Sequence, residues 1–176
     1  MQTLERPTIE ALRAQGARVA GHAYLREIRT FSLSAELARE PAAGLGLAYE
    51  FEPVIEAHQP SVGVLIIDGF FRLSISEHEA ENEDNDAPKE PEKDPLAEIK
   101  FNLSSFYTLR PFDDVEAEPF GAEELDAFAK STGQFALYPY ARALVSDLTG
   151  RLGLPGLTLP ILTIDVTSEL ADGERR

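Results

Sequence analysis

Apolar residues recur at helical spacing near the start of the chain and then alternate with polar residues along four longer stretches. The first region, Thr8–Val19, follows Pro7 and predicts a helix, which Gly16 weakens. The alternating stretches predict β-strands, because successive side chains of a strand point to opposite faces of its sheet. They run over Val19–Leu33, Leu45–Ile55, Val62–Ser76 and Ala97–Leu109.

Two more helices are predicted after the strands. Glu123–Ser131 is short, whereas Gly133–Leu152 has the strongest helical periodicity of the chain. No helical stretch separates the four strands, so we expect them to pair as an antiparallel meander. The sequence therefore predicts an α+β fold: a four-stranded antiparallel meander sheet, a long helix in the C-terminal half and an extra helix at the N-terminus.

These elements are too few to cover both faces of the sheet. The third strand is apolar on both faces at its start, Val62–Ile67. A helix of about 20 residues is about 30 Å long and, with a short partner, covers one face only. The loop Gly153–Leu162 is also apolar and is kept irregular by its prolines and glycines. We therefore expect the N-terminal helix, another subunit or a bound polypeptide to complete the cover.

Acidic residues are concentrated in one segment, Glu77–Glu98, which holds ten acids and two lysines and is interrupted by three prolines. This composition predicts a disordered loop. It is either a solvated insertion, which is the favoured interpretation, or a tether for a basic partner. The 176-residue chain has 31 acids and 16 bases, a net charge of −15. That charge disfavours binding to nucleic acid or to anionic membranes.

The residue inventory offers little chemistry. The chain has no cysteine, which excludes disulfides, thiolate metal sites and cysteine nucleophiles. His22, His58 and His78 lie in different segments, and none has a second ligand at metal-binding spacing. No apolar stretch is long enough to span a membrane, and no secretory leader is recognisable. We therefore expect a cytoplasmic protein without membrane insertion that is not an enzyme and has no cofactor or metal.

Apolar and aromatic residues beyond the needs of a small core are the remaining signal. They lie at the start of the second strand, at the start of the long helix and in the loop after it. Any one of them could belong to the core, but together they predict an apolar groove for an extended polypeptide. The predicted polypeptide-binding residues are Leu45, Leu47, Tyr49, Phe135, Tyr138, Tyr140, Leu157 and Leu159.

The region of the long helix resembles the SecB-like export chaperones. The resemblance rests on the stretch FALYPYAR at Phe135–Arg142, on Ser146–Leu148 and on LPGLTLP at Leu154–Pro160. The FALYPY wording and the N-terminal extension are most similar to the SecB-like chaperones encoded with toxin–antitoxin pairs. The resemblance divides the chain into an N-terminal helical extension, 1–18, and a SecB-like domain, 19–170, with the acidic disordered loop at 77–98.

The resemblance also implies an assembly and a function. The family forms homotetramers that hold unfolded polypeptides in hydrophobic grooves without ATP and without catalysis; the client is an antitoxin or an exported preprotein. Glu27 matches one acid of the surface on which the family docks the export translocase motor, but the neighbouring acid is not matched. Two alternatives stay open: a general export chaperone that delivers preproteins to the translocase, and a module that binds a small apolar ligand. The implied oligomer interface consists of Ala141, Leu144, Val145 and Leu148.

Overall fold

The computed structural model describes residues 8–42, 45–78, 94–110 and 119–161. The acidic loop predicted at 77–98 is described only at its two ends, and most of it lies outside the described residues, as does the chain after residue 161. None of the helices in these ranges is long and apolar enough to cross a membrane. The elements are α1 (Ile9–His22), β1 (Ala23–Leu37), β2 (Gly46–Ser61), β3 (Val64–His78), β4 (Ala97–Leu109), α2 (Ala122–Phe128) and α3 (Gln134–Arg151).

The four strands form one antiparallel sheet in the order β1-β4-β3-β2. The α+β class, the antiparallel sheet and the helices at both ends of the chain are confirmed. The prediction of a complete meander is wrong for one strand: β2, β3 and β4 follow one another, but β1 lies beside β4, which makes the sheet a Greek key.

One face of the sheet carries the core. Alternate side chains of β3 and β4 point toward the helices and are buried, whereas the edge strands β1 and β2 are only half-buried or exposed. Aromatic rings cross the strands in this layer: Phe71 stacks on Phe51 at 5.8 Å and on Phe101 at 5.0 Å between ring centroids. The helices therefore cover the centre of the sheet and leave its two edges accessible.

The helix α1 packs on the same side of the sheet as α2. A Cβ at Gly16 would lie 2.7 Å from the backbone nitrogen of Phe128, so the two helices touch at their backbones. The guanidinium of Arg18 donates to both carboxylate oxygens of Glu124, at 2.8 and 2.6 Å. Phe128 in turn packs edge-on against the buried Tyr107 of β4. Since α1 shares this side, no described element covers the opposite face of the sheet.

A single helical run follows the strands. The predicted helices at 123–131 and 133–152 are joined by a π-helical turn, Ala129–Gly133, so the helix continues from Ala122 to Arg151. The apolar stripe predicted for α3 faces the sheet and packs on the core. Its members Leu137, Ala141, Val145 and Leu148 are buried, and Leu144 and Leu152 are half-buried.

Candidate functional site

An apolar groove of about 330 Å³ lies between the start of β2 and the loop after α3. One side belongs to the sheet, where Tyr49 pairs with Ile75 of β3. The other side is the segment Leu154–Leu157, called the wall segment below. None of the described residues that line the groove carries a charge. They are Leu45, Leu47, Ala48, Tyr49, Ile75, Leu154, Pro155, Gly156 and Leu157.

The groove brings together four of the eight residues predicted to bind polypeptide: Leu45, Leu47, Tyr49 and Leu157. Leu45 and Tyr49 are 38% and 44% exposed, so the groove opens to solvent along the sheet edge. An open apolar channel at a sheet edge has room for a chain that enters and leaves, which an enclosed cavity does not.

Tyr138 lies beside the groove and fastens its loop. Its hydroxyl donates a 2.6 Å hydrogen bond to the carbonyl of Pro160, and its ring packs edge-on against Phe51 at 6.5 Å. Burial raises the pKa of Tyr138, as does the nearby Tyr49, against an opposing effect of the Arg142 charge. The hydroxyl therefore stays protonated and remains a donor to the loop.

Arg142, one helical turn further along α3, makes the second contact. Its Nε donates to the carbonyl of Leu159 at 2.8 Å. The aromatic–Pro–Tyr–Ala–Arg stretch thus has a structural role at this site, because two of its side chains bind the backbone of the loop. The side chain of Leu159 is only 1% exposed. A polypeptide could reach this predicted binding residue only if the loop moved.

Two other predicted residues lie away from the groove. Phe135 is half-buried, and the guanidinium of Arg13 from α1 sits 5.6 Å from its ring centroid. Tyr140 is 52% exposed on α3 and is not among the described residues that line the groove. The positions of Phe135 and Tyr140 follow from helix geometry, because the sheet occupies the side of α3 that carries Leu137 and Ala141.

The predicted oligomer residues are mostly used within the chain. Ala141 and Val145 are fully buried and Leu148 is 5% exposed, all within the core of this single chain. Ala141 and Val145 offer no accessible surface to a second subunit and Leu148 offers little, and the assignment of these residues to an oligomer interface stays a prediction. Leu144 alone of the four is half-buried and keeps surface for a neighbour.

The face of the sheet opposite the helices, called the open face below, carries Glu27. The guanidinium of Arg29 pairs with its carboxylate at 2.5 Å and lies 5.2 Å from the ring centroid of Phe106. The charge of Glu27 is therefore already compensated within the chain, which weakens it as a docking point. The sequence predicted a second apolar face from the pattern of the third strand, but it did not identify which side chains are exposed there. They include Phe31, Val54 and Phe70.

The open face also brings a histidine, an acid and a serine together. His58 Nδ1 lies 3.3 Å from Asp68, and the hydroxyl of Ser104 donates to the other oxygen of the same carboxylate. The carboxylate stands between the hydroxyl and the imidazole, whereas a nucleophilic serine needs the imidazole as its direct partner. This group is therefore not arranged as a hydrolytic triad. Within the described ranges, no group of three or more histidines and acids could hold a metal ion.

Comparison with known proteins gives a consistent result. No family model matches the chain. The chain is 38% identical over 156 residues to the SecB-like chaperone MT2006 of Mycobacterium tuberculosis strain CDC 1551 / Oshkosh. The aligned region covers 86% of this chain and 84% of the relative. It is 37% identical, with the same coverage, to the SecB-like chaperone Rv1957 of strain H37Rv.

A solved structure of a relative is also similar. It is the M. tuberculosis Rv1957 SecB-like chaperone in complex with a ChAD peptide from the Rv1956 HigA1 antitoxin. It matches with a TM-score of 0.66 and 35% sequence identity, over 88% of this chain and 98% of that one. At this identity and coverage over nearly the whole fold, the chain belongs to the SecB-like chaperone family.

Proposed function

We propose that the protein is an ATP-independent holdase that binds unfolded or aggregation-prone polypeptide in the groove between β2 and the wall segment. Its client is the antitoxin of a toxin–antitoxin module, and it acts in the cytoplasm without catalysing a reaction. The observation that carries the proposal is the open, uncharged groove at the sheet edge. The antitoxin peptide held by a relative that matches 88% of this chain supports the choice of client.

The groove fits weak, sequence-tolerant binding. An apolar side chain that buries about 100 Å² contributes about 2.5 kcal/mol, at about 25 cal/mol per Å². A micromolar complex needs about 8 kcal/mol. One side-chain contact is therefore too weak, so several contacts along a groove must act together, and several grooves add to them through a high effective concentration. A holdase meets this requirement when it carries several grooves on one oligomer.

The surface of the chain supports a homotetramer, although not through the helix residues that are buried in the core. β1 is an edge strand of 15 residues, and among the described residues no strand pairs with its outer edge. Leu25, Phe31 and Leu33 on this strand are 47%, 60% and 50% exposed. A long edge strand that is left open and carries exposed apolar side chains favours association. We place one contact of the tetramer along β1 and a second on α3 around Leu144 and Tyr140.

The experiment that tests the proposal is suppression of aggregation of a chemically unfolded client, without ATP, with native mass recorded by light scattering. Leu45→Asp puts a charge into the groove at a position exposed enough to tolerate it. Val62→Asp is the matched control, because Val62 is fully exposed in the turn at the other end of β2. We expect Leu45→Asp to weaken client binding at least about tenfold, which corresponds to about 1.4 kcal/mol.

The control should suppress aggregation as the parent protein does, and both variants should keep a mass near four subunits. A parent protein without holding activity would overturn the proposed function. A Leu45→Asp protein that binds clients normally would remove the groove as the binding site.

A further inference from the structure

The wall segment has no secondary structure to fix its backbone. It lies between the end of α3 and the tail of the loop, and it contains Pro155, which has no amide hydrogen, and the flexible Gly156. Of its two terminal amides, that of Leu154 donates to the backbone carbonyl of Thr149 at 3.0 Å. The amide of Leu157 donates to the hydroxyl oxygen of the same threonine, also at 3.0 Å. Both ends of the wall segment are thus attached to one residue.

Thr149 is itself held rigidly. It is fully buried in the last turns of α3, and its hydroxyl donates to the carbonyl of Val145 at 2.9 Å, with Ser146 O at 3.2 Å. A hydroxyl that donates in this direction presents its lone pairs to the Leu157 amide. In a helix, the side chain of threonine has few accessible rotamers, and a bond to the preceding turn selects one. The acceptor therefore occupies a fixed position.

The helix does not need this hydroxyl. The carbonyl of Val145 is within an uninterrupted helix, whereas the amide of Leu157 has no other described partner. Burial of a hydroxyl destabilises a protein unless the hydroxyl forms hydrogen bonds. The hydrogen bond from Leu157 fixes the distance between α3 and the wall segment, and that distance sets the width of the groove.

We propose that Thr149 is a positioning residue for client binding, which keeps the wall segment at the distance from β2 that the client requires. The inference rests on the proposed function of the groove. It adds that the affinity for polypeptide depends on a side chain that does not touch the client.

The test compares three variants in one assay, the affinity for a short fluorescently labelled peptide of alternating leucine and lysine. Thr149→Val keeps the shape of the side chain but removes the acceptor, and we expect about a tenfold loss of affinity because the partly buried amide of Leu157 loses its partner. Thr149→Ser keeps the hydroxyl and should bind within about twofold of the parent protein. Thr158→Val is the matched control, because Thr158 is exposed in the same loop and has no side-chain hydrogen bond among the described residues.

Two further readouts separate positioning from stability. The unfolding midpoint is measured for each variant, and hydrogen exchange reports the protection of the Leu157 amide. A Thr149→Val protein that is less stable yet binds the peptide normally when folded would overturn the proposal. So would unchanged protection of the Leu157 amide. If the parent protein binds no peptide, the proposed function fails, and the exchange result alone then decides whether Thr149 positions the wall segment.

Discussion

Replacing Gly153 by alanine tests how the end of α3 directs the chain into the wall segment. Gly153 has a φ of 76°, in the left-handed region that side chains with a Cβ rarely adopt. Its amide donates to the carbonyl of Gly150 at 3.1 Å, and the amide of Leu154 donates to that of Thr149 at 3.0 Å. The pair forms a Schellman motif, which places a left-handed residue at this position. Alanine must therefore adopt the strained conformation or give up both hydrogen bonds.

The size of the effect follows from two opposing terms. The left-handed conformation costs an L-residue about 1–2 kcal/mol. Alanine also restricts the unfolded chain, which offsets about 0.4–1 kcal/mol of this cost. The free energy of unfolding should thus fall by about 1 kcal/mol, which lowers the melting temperature by about 2–4 °C for a chain of this size.

Gly150 provides the matched control three residues earlier. It lies within α3, and a Cβ there would meet nothing within 4 Å. Alanine at this position should raise the free energy of unfolding by up to about 1 kcal/mol, because it removes the low helix propensity of glycine. The two single substitutions, which change composition identically, should therefore differ by about 2 kcal/mol in favour of Gly150→Ala.

Urea unfolding followed by far-ultraviolet circular dichroism measures this difference. All proteins are compared at one concentration, because stability depends on concentration when an oligomer dissociates. Peptide affinity is the second readout, and it should fall for Gly153→Ala alone, since the wall segment begins at the next residue. Equal stability of the two variants, or a more stable Gly153→Ala protein, would refute the reasoning about this turn.

Two further predictions concern the attachment of α1. Gly16→Ala should destabilise the protein by about 1–2 kcal/mol, because overpacking against the Phe128 backbone outweighs the gain in helix propensity. Gly21→Ala is the control, because a Cβ at Gly21 meets nothing within 4 Å. This variant should be more stable than the parent protein in the same urea titration. The pKa of Glu124 is lowered to about 2, from an ordinary value of 4.5, by hydrogen bonds from Arg18 and from the Gly121 amide. Because the folded state favours the charged form, this stabilisation is present above pH 4.5 and is lost as the pH falls toward 2. Glu124→Gln should therefore lower the free energy of unfolding by roughly 1 kcal/mol at pH 7, after allowance for solvent screening. Between pH 4.5 and pH 2, this variant should lose less stability than the parent protein. An equal loss in the two proteins would contradict the assignment.

Local sequence patterns predicted most of the elements, because helix and strand periodicity depend on neighbouring residues. β4 has the predicted bounds, Ala97–Leu109, and α3 differs from its prediction by one residue at each end. The bounds of β1 were predicted four residues too early, as Val19–Leu33 rather than Ala23–Leu37, and this error also has a local cause. Val19 fits both a helical and an alternating pattern, and its burial beside α2 places it in the helix, so the strand begins four residues later at Ala23.

The strand order and the depth of individual side chains could not be predicted in the same way, because both depend on distant contacts. Leu157 and Leu159 are two positions apart in one apolar loop and look equivalent in the sequence. Leu157 lines the groove, whereas the side chain of Leu159 is buried. Arg142 of α3 donates a hydrogen bond to the backbone carbonyl of Leu159 and so holds this residue against the helix. The role of Thr149 could not be predicted from the sequence, because a threonine within a helical pattern is common and its contact with the loop depends on the tertiary fold.

Site-specific photo-crosslinking locates the client most directly. A benzoylphenylalanine is placed at Tyr49, which lines the groove, or at Phe70 of β3, which is exposed on the open face. Both are aromatic positions with the same exposed fraction, 44%, and neither belongs to the proposed tetramer contacts. We predict that an aggregation-prone antitoxin polypeptide crosslinks at position 49 and is displaced by unlabelled polypeptide, with little crosslinking at position 70. Crosslinks at position 70 but not at position 49 would contradict the groove as the client-binding site.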